Sequence, residues 1–290
     1  MVIPIKLSFY TTLALLAFAG NSVLCRLALS DESIDAASFT SIRLLSGIAT
    51  LILIVVVSRK DNQTATLLKT SGSWLASLML FIYAAAFSFA YISLDTATGA
   101  LILFASVQFT MIFISLISGN RPHSLEWLGI LIAFAGFFYL VAPNINTPSF
   151  DSFILMVLAG IAWGAYTLIG RGSRTPLHDT TSNFLRTLPF VLVLILFSLS
   201  NFHLSQQGIL LAILSGAIAS GIGYAIWYRA LRELSVTLAA VLQLLVPIIA
   251  GIGGLIFAQE AITIRLVIAS ILVLGGILIV LRGRHTAKNT

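Results

Sequence analysis

Charge is scarce in this chain. Only 9% of its 290 residues are Asp, Glu, Lys or Arg, against about 25% in an ordinary soluble domain. Cysteine is nearly absent: Cys25 is the single one, so no intrachain disulfide and no cysteine-based zinc site can form. The four histidines, His123, His178, His203 and His285, fall in or beside polar stretches and make no ligand set. Motifs of intramembrane or soluble catalysis are missing. There is no His-Glu-x-x-His, no Gly-x-Gly-Asp, no Gly-x-Ser-x-Gly and no Gly-x-x-x-x-Gly-Lys. Catalytic, metal and cofactor sites are therefore not expected. The net charge of +6 comes without a basic run or nucleic-acid signature, which argues against a nucleic-acid partner.

What remains is apolar. The apolar set makes up 59% of residues and mean hydropathy is +1.05. No soluble domain of this size can hide that much apolar surface, so a cytosolic enzyme, a secreted disulfide scaffold and a disordered chain are excluded. A hydrocarbon layer about 30 Å thick takes roughly 20 helical residues. Ten apolar stretches of about that length are legible, at approximately 7–28, 36–58, 73–93, 97–118, 124–142, 152–170, 181–200, 208–231, 235–258 and 262–281. Polar or Pro- and Gly-containing breaks part them, including 58–63, 143–148 and 170–176. The links at Leu94-Asp95-Thr96 and Arg232-Glu233-Leu234 are so short that the helices they join are expected to be antiparallel neighbours. A membrane barrel is unlike this pattern, because no ten-residue stretch alternates apolar and polar. Lys6, the apolar run and Ala17-Phe18-Ala19 resemble a signal peptide, but the repeat described below includes these residues and favours a permanent first helix.

Basic residues set the expected orientation. With ten spans both termini share one side. Lys6, Arg59, Lys60, Lys69, Arg121, Arg171, Arg174, Arg229, Arg232, Arg282, Arg284 and Lys288 fall on that side, and the opposite loops hold Arg265 alone. An inner-membrane protein with cytoplasmic N- and C-termini is expected.

The two halves repeat one pattern. Phe18, Asn21, Ser22 and Arg26 align with Trp163, Tyr166, Thr167 and Arg171, and Ile42-Arg43-Leu44 aligns with Leu185-Arg186-Thr187. Tyr91-Ile92-Ser93-Leu94 aligns with Tyr228-Arg229-Ala230-Leu231, and Gly136 corresponds to Gly276. Five helices is an odd number, so the second copy crosses in the opposite sense. The expected fold is an all-α integral membrane protein of ten transmembrane helices in two inverted five-helix repeats, residues 1–143 and 144–290. Secondary transporters are commonly built so, with the substrate site between the repeats.

These features resemble the drug/metabolite transporter superfamily, particularly its EamA-type ten-helix bacterial exporters. The resemblance rests on the first span ending in Arg26, on Arg43 early in the second, and on Tyr91-Ile92-Ser93-Leu94. It rests also on Leu244-Leu245-Val246-Pro247 followed by Gln259-Glu260, and it covers nearly the whole chain. Thr110 stands near the expected counterpart of Pro247, and Asn120 replaces the acidic residue that Glu260 supplies in the second half. Both departures make the halves unequal in gating or coupling. The family implies export of amino acids, other small metabolites or drugs by alternating access. An importer or exchanger of the same fold, a channel or receptor, and an intramembrane enzyme are the alternatives.

The candidate substrate-binding residues are Phe18, Asn21, Arg43, Tyr83, Phe87, Phe104, Gln108, Trp163, Tyr166, Arg186, Tyr224 and Gln243. Arg43 and Arg186 are costly in a span. They face a cavity to meet a carboxylate or phosphate, snorkel to an interface, or cap carbonyls of a neighbouring helix. Arg26 reads as the end of the first span at the outer surface. Met79, Tyr83 and Phe87 share one helix face, as do Phe104, Gln108 and Met111. Core packing and interfacial belts account for the same aromatics, and Trp227 and Tyr228 lie where a belt is normal. Small residues along spans six, eight and nine indicate close helix contact, and Pro247 with Gly251 is a candidate hinge. No acidic residue lies clearly at mid-span, which points to a facilitator or exchanger rather than a carboxylate-based ion antiporter. The expected partners are a small-molecule substrate and the lipid bilayer, the chain being a monomer or homodimer.

Overall fold

The computed structural model describes residues 5–58, 71–117, 124–141, 149–171, 173–199, 202–231, 233–234 and 236–287. Several basic positions read for orientation, Arg59, Lys60, Lys69, Arg121, Arg232 and Lys288, lie outside the described residues, as do Asn120, His123 and the break at 143–148. The side chains of Arg284 and His285 lie outside them too.

Ten helices run through the described residues. Unbroken ones are α1 (Ile5–Ser30), α2 (Ala36–Val57), α3 (Trp74–Ala90), α4 (Thr96–Ile117), α5 (Ser124–Val141), α6 (Phe150–Gly170) and α10 (Ile264–Ala287). Three are interrupted. α7 consists of α7a (Pro176–Leu185) and α7b (Leu188–Ser198). α8 consists of α8a (Gln206–Leu214), a π-helical stretch over Ser215–Ile222, and α8b (Gly223–Leu231). α9 consists of α9a (Val236–Gln243) and α9b (Val246–Phe257). Eight of the ten are long and apolar enough to cross a membrane; α3 and α5 are shorter apolar helices.

The surface is apolar and the interior holds the polar groups, the reverse of a soluble protein. Leu53, Leu131, Phe134, Phe138, Leu192, Phe197, Ile256 and Ile271 are all exposed, whereas Asn21, Arg43, Gln108, Ser215, Ser220 and Gln243 are buried. In hydrocarbon a polar group must be satisfied within the protein. Many hydroxyls do so locally: Thr11, Thr40, Ser41, Ser77, Ser88, Thr110 and Thr167 each donate to the carbonyl four residues back. Side-chain caps start three helices, where Asp35, Ser73 and Ser205 accept the N–H groups of Ser38, Ala76 and Gly208.

Contacts at the helix ends show how the chain crosses. On the face where α1 begins, Arg229 lies 5.6 Å over the Tyr10 ring, the Gly72 N–H donates to Asp179, and Gly283 of α10 abuts Glu126 of α5. On the opposite face Arg26 meets Glu260, Ser93 meets Ser152, and Arg265 donates to the Tyr139 carbonyl. Successive helices therefore alternate in direction, and α6 runs opposite to α1, so the two five-helix units are inverted.

The units are also interleaved. α6 packs between α3 and α4, and α1 packs between α8 and α9. α5 packs on α10, α2 on α7 and α4 on α9. This pairing is what a pseudo-two-fold axis in the membrane plane produces. It corrects one expectation. The short link at 94–96 does not make α3 and α4 close neighbours, and the link at 232–234 does not make α8 and α9 so; in each case the first helix of the other unit fills the gap.

Glycines make the interleaving possible. A Cβ on Gly160 would lie 2.5 Å from Ser106 Cβ and 2.7 Å from the Leu103 carbonyl, so α6 touches the α4 backbone. A Cβ on Gly253 would lie 2.6 Å from Val23 Cγ2, so α9b packs closely on a side chain of α1. Such contacts use small residues where backbones must approach.

Candidate functional site

At the centre, the repeat-related residues Phe18 and Trp163 meet edge to face with ring centroids 6.2 Å apart. They join a cluster of rings. Trp163 lies 4.8 Å from Tyr83, 4.9 Å from Tyr224 and 5.4 Å from Tyr166, while Phe18 packs on Tyr224 and Trp227. Phe18, Asn21, Tyr83, Phe87, Leu103, Phe104, Trp163 and Tyr224 enclose a void of only about 10 Å³. The expected mid-membrane cavity is thus nearly filled by its own walls in this conformation. Trp227 is fully buried against Phe18, which corrects its reading as an interfacial belt residue.

Arg43 sits behind these rings and does not snorkel. Its side chain is 1% exposed. Nη2 donates to Tyr83 Oη at 3.0 Å and Nε to Ser220 Oγ at 3.3 Å. The guanidinium lies 4.9 Å from the Phe87 ring centroid and 5.2 Å from that of Tyr83. Asn21 continues the network, donating to Tyr83 Oη at 3.4 Å and accepting from Ser215 Oγ at 2.6 Å. Nη1 of Arg43 and Oη of Tyr224 are buried without a partner.

The π-helical stretch of α8 supplies Ser215 and Ser220. It exists beside a helix crossing of unusual closeness: a Cβ on Gly216 would run into the Arg43 carbonyl and Ser46 Oγ. Widened turns of this kind are frequent at functional sites. Its i→i+5 turns bring Ser215 and Ser220, five residues apart, toward one side, where they meet Asn21 and Arg43 of the same network.

Two of the expected residues lie away from the centre. Arg186 caps α7a and donates through Nη1 to the Ser71 carbonyl at 2.6 Å, on the face where α1 begins. There Asp179 and Asn183 also accept the Gly72 and Ser73 N–H groups, each at 2.9 Å. Arg186 therefore takes the carbonyl-capping role. Gln243 ends α9a and lines a vestibule of about 280 Å³ on the same face, with Met111, Thr167, Arg171, Tyr228 and Ala240. Its Oε1 is buried and unpartnered. Gln108 bridges toward it, donating to the Ala240 carbonyl at 3.4 Å.

The breaks in α7 and α9 have a common cause. Pro189 and Pro247 are each in the first turn of the second segment. A proline has no N–H for the carbonyl four residues earlier, and its ring clashes with it. Leu244 and Leu245 turn to carbonyls three residues back instead, which leaves the Ala240 carbonyl for Gln108. Pro247 thus breaks α9 rather than merely kinking it. Nothing in the sequence sets Pro189 apart, although it stands in a similar place behind Arg186.

The face opposite the termini is bolted. Arg26 Nε holds Glu260 Oε1 at 2.9 Å, and its Nη2 lies 3.5 Å from Asp95. Nη1 donates to the carbonyls of Tyr91 and Ile92 at 3.2 and 3.1 Å, and the Thr96 N–H donates to Glu260 Oε2 at 2.8 Å. These contacts tie α1, α3, α4 and the end of α9b together. Each residue is legible in the sequence as a helix terminus; their meeting is not. A separate crevice of about 530 Å³ lies beside this bolt, between Leu29, Ala37, Phe89 and Phe197.

The architecture defines a multi-pass membrane protein with a polar centre at the crossing of two inverted repeats. The model of the EamA-like transporter family matches residues 6–142 and again residues 152–282. The chain belongs to that family. It is 44% identical over 274 residues to an uncharacterized protein of Pseudomonas aeruginosa, covering 94% of each chain. It is 24% identical over 262 residues to the uncharacterized transporter YwfM of Bacillus subtilis, covering 87% of this chain and 86% of that one. With an uncharacterized transporter of Archaeoglobus fulgidus the identity is 23% over 295 residues, covering 97% and 99%. A solved crystal structure at 18% identity shares the fold with a TM-score of 0.66, covering 94% of this chain and 97% of that one.

Proposed function

We propose that this protein is a secondary transporter of the inner membrane that exports a small organic solute by alternating access. Its termini face the cytoplasm. The solute is an amino acid or a related metabolite, and the same pocket is open to drugs of similar size. The observation that carries the reading is the central cluster. A fully buried arginine, two unpartnered donors and a wall of rings meet where the rings of Phe18 and Trp163, from the equivalent first helices α1 and α6 of the two repeats, come together. Packing alone gives no reason to bury a guanidinium that no carboxylate pairs with among the described residues, which costs several kcal/mol in a low-dielectric interior.

Substrate binds at Phe18, Asn21, Tyr83, Phe87, Phe104, Trp163 and Tyr224, with Arg43 behind them. It enters through the vestibule of Gln243 and Tyr228 and leaves after Arg26 releases Glu260. Tyr166 stacks on Trp163 between vestibule and centre and acts as part of the inner seal. Pro247 and Gly251 form the hinge of α9, and the carrier works as a monomer or homodimer. Among the described residues no acid borders the centre, which supports facilitation or exchange over coupling through a mid-membrane carboxylate.

Reconstituted protein tests this. Saturable counterflow of a radiolabelled solute is expected, and it should be lost in Trp163→Ala and Arg43→Ala with folded protein still recovered. Retention of transport in both variants removes the central site. Strict dependence on an imposed proton or sodium gradient removes the facilitator or exchanger reading.

A further inference from the structure

The hydrogen-bond inventory of the central site is one-sided. The acceptors on Tyr83, Ser220 and Asn21 are already engaged. Tyr83 Oη receives both Arg43 Nη2 and Asn21 Nδ2, Ser220 Oγ receives Arg43 Nε, and Asn21 Oδ1 receives Ser215. Its donors are in surplus. Arg43 Nη1 and the Tyr224 hydroxyl have no partner. Tyr83, whose oxygen accepts twice, keeps its own hydrogen; the neighbouring Tyr224 oxygen can take it, so the two phenols together leave at least one hydrogen for a further acceptor. The guanidinium keeps its charge under all conditions a protein meets. Among the described residues no carboxylate lies within 4.0 Å of it, because the ion pairs formed by Asp95 and Glu260 are both with Arg26.

We infer that the cargo is a small organic monoanion: a carboxylate on an apolar or aromatic body. This rests on the transporter reading above and narrows it. Each part of the site matches one part of such a molecule. The carboxylate oxygens take the hydrogens of Tyr83 and Tyr224 and neutralise Arg43, and charge-assisted bonds of this kind are the strong ones. One fixed cation suits one negative charge, so a phosphate dianion is under-compensated. Phe18, Phe104 and Trp163 surround the body. No acidic side chain borders the void to hold an ammonium group, so the site gives an amino group nothing to pair with, and the amino-acid zwitterion is disfavoured relative to the simple acid. With a void of about 10 Å³, the cargo is admitted as the rings part, and its charge then replaces the Arg43–Tyr83 contact as the partner of the guanidinium.

The experiment compares three probes that share a phenyl ring and differ in the head group: 3-phenylpropanoate, phenylalanine and 2-phenylethylamine. Each is measured by counterflow in proteoliposomes and by thermal shift of purified protein. The acid is expected to half-saturate at a concentration about tenfold or more below the other two, the factor expected when one charge-assisted hydrogen bond separates ligands. Tyr224→Phe removes one hydroxyl without removing a ring, and Arg43→Lys keeps the charge but loses the planar fork. Both are expected to weaken the acid severalfold more than the amine; Arg43→Gln should weaken the acid most. Tighter or equal saturation by the amine or the zwitterion overturns the monoanion class while leaving the transporter reading intact, as does an unchanged acid response in all three variants. Non-saturable flux of all three probes overturns both.

Discussion

Arg26 and Glu260 stand 234 residues apart in sequence and meet at 2.9 Å. Both are largely buried, with side chains 16% and 12% exposed, and each makes further hydrogen bonds to the backbone of α3 or α4. The closed face therefore depends on one linked set of charges. Hydrogen bonds to charged groups contribute about 1.5–3 kcal/mol. The substitution Glu260→Gln is expected to raise the open population of this face about tenfold. Thr96→Cys in a Cys25→Ser background, labelled by a membrane-impermeant maleimide, gives the readout. Equal labelling rates with and without the Glu260→Gln substitution would show that the pair does not hold the face shut.

Gly129 and Gly276 form a reciprocal contact between α5 and α10. A Cβ on Gly129 would lie 2.5 Å from the Gly276 carbonyl oxygen, and one on Gly276 would lie 2.6 Å from the Gly129 carbonyl oxygen. The obstacle on both sides is backbone, which cannot rotate away. Gly129→Ala and Gly276→Ala are each expected to destabilise the protein by about 1–3 kcal/mol, as overpacking does. Thermal unfolding in detergent measures it, with Gly275→Ala as the control, since open space surrounds that position.

Pro189 and Pro247 interrupt α7 and α9. Alanine at either position restores a backbone N–H and favours a continuous helix. The variants are expected to fold but to turn over severalfold more slowly, with half-saturation little changed, if the breaks serve motion rather than binding. A changed half-saturation with unchanged turnover would assign them to the site instead.

Gly72 adopts φ +73°, and a Cβ there would lie 2.5 Å from Asn183 Oδ1 and 2.7 Å from Arg186 Nη1. A left-handed conformation costs a non-glycine residue about 1–2 kcal/mol. Gly72→Ala is expected to loosen the joint between α3 and α7a and to lower the unfolding temperature more than Ser173→Ala does. Arg186→Gln tests the same joint from its other side, and should leave the affinity for the central probe unchanged because Arg186 points to Ser71.

The helices were legible because each carries its own signal. Most helix ends fell within a few residues of the apolar runs, since hydropathy changes where the chain leaves lipid. The repeat was legible from Phe18, Arg26 and Arg43 and their counterparts. The interruptions were only partly so: Pro247 stood out and Pro189 did not, and nothing in the small-residue run at 215–222 distinguished a π-helical stretch from an ordinary packed helix. For the site, the rings and amides were legible as candidates. Arg186 and Gln243 share the residue types of the centre but not its location, because residue type does not report which end of a helix turns inward.

Sequence by itself determined that this chain lives in a membrane, how many times it crosses and that its second half is inverted. Those properties follow from hydrophobicity along a one-dimensional chain and from the parity of five. Tertiary structure alone decided that α6 enters between α3 and α4 while α1 enters between α8 and α9, and hence that Phe18 meets Trp163 and Arg26 meets Glu260. Helix pairing depends on where small residues let backbones close together in three dimensions, and neighbours in the chain need not be neighbours in space.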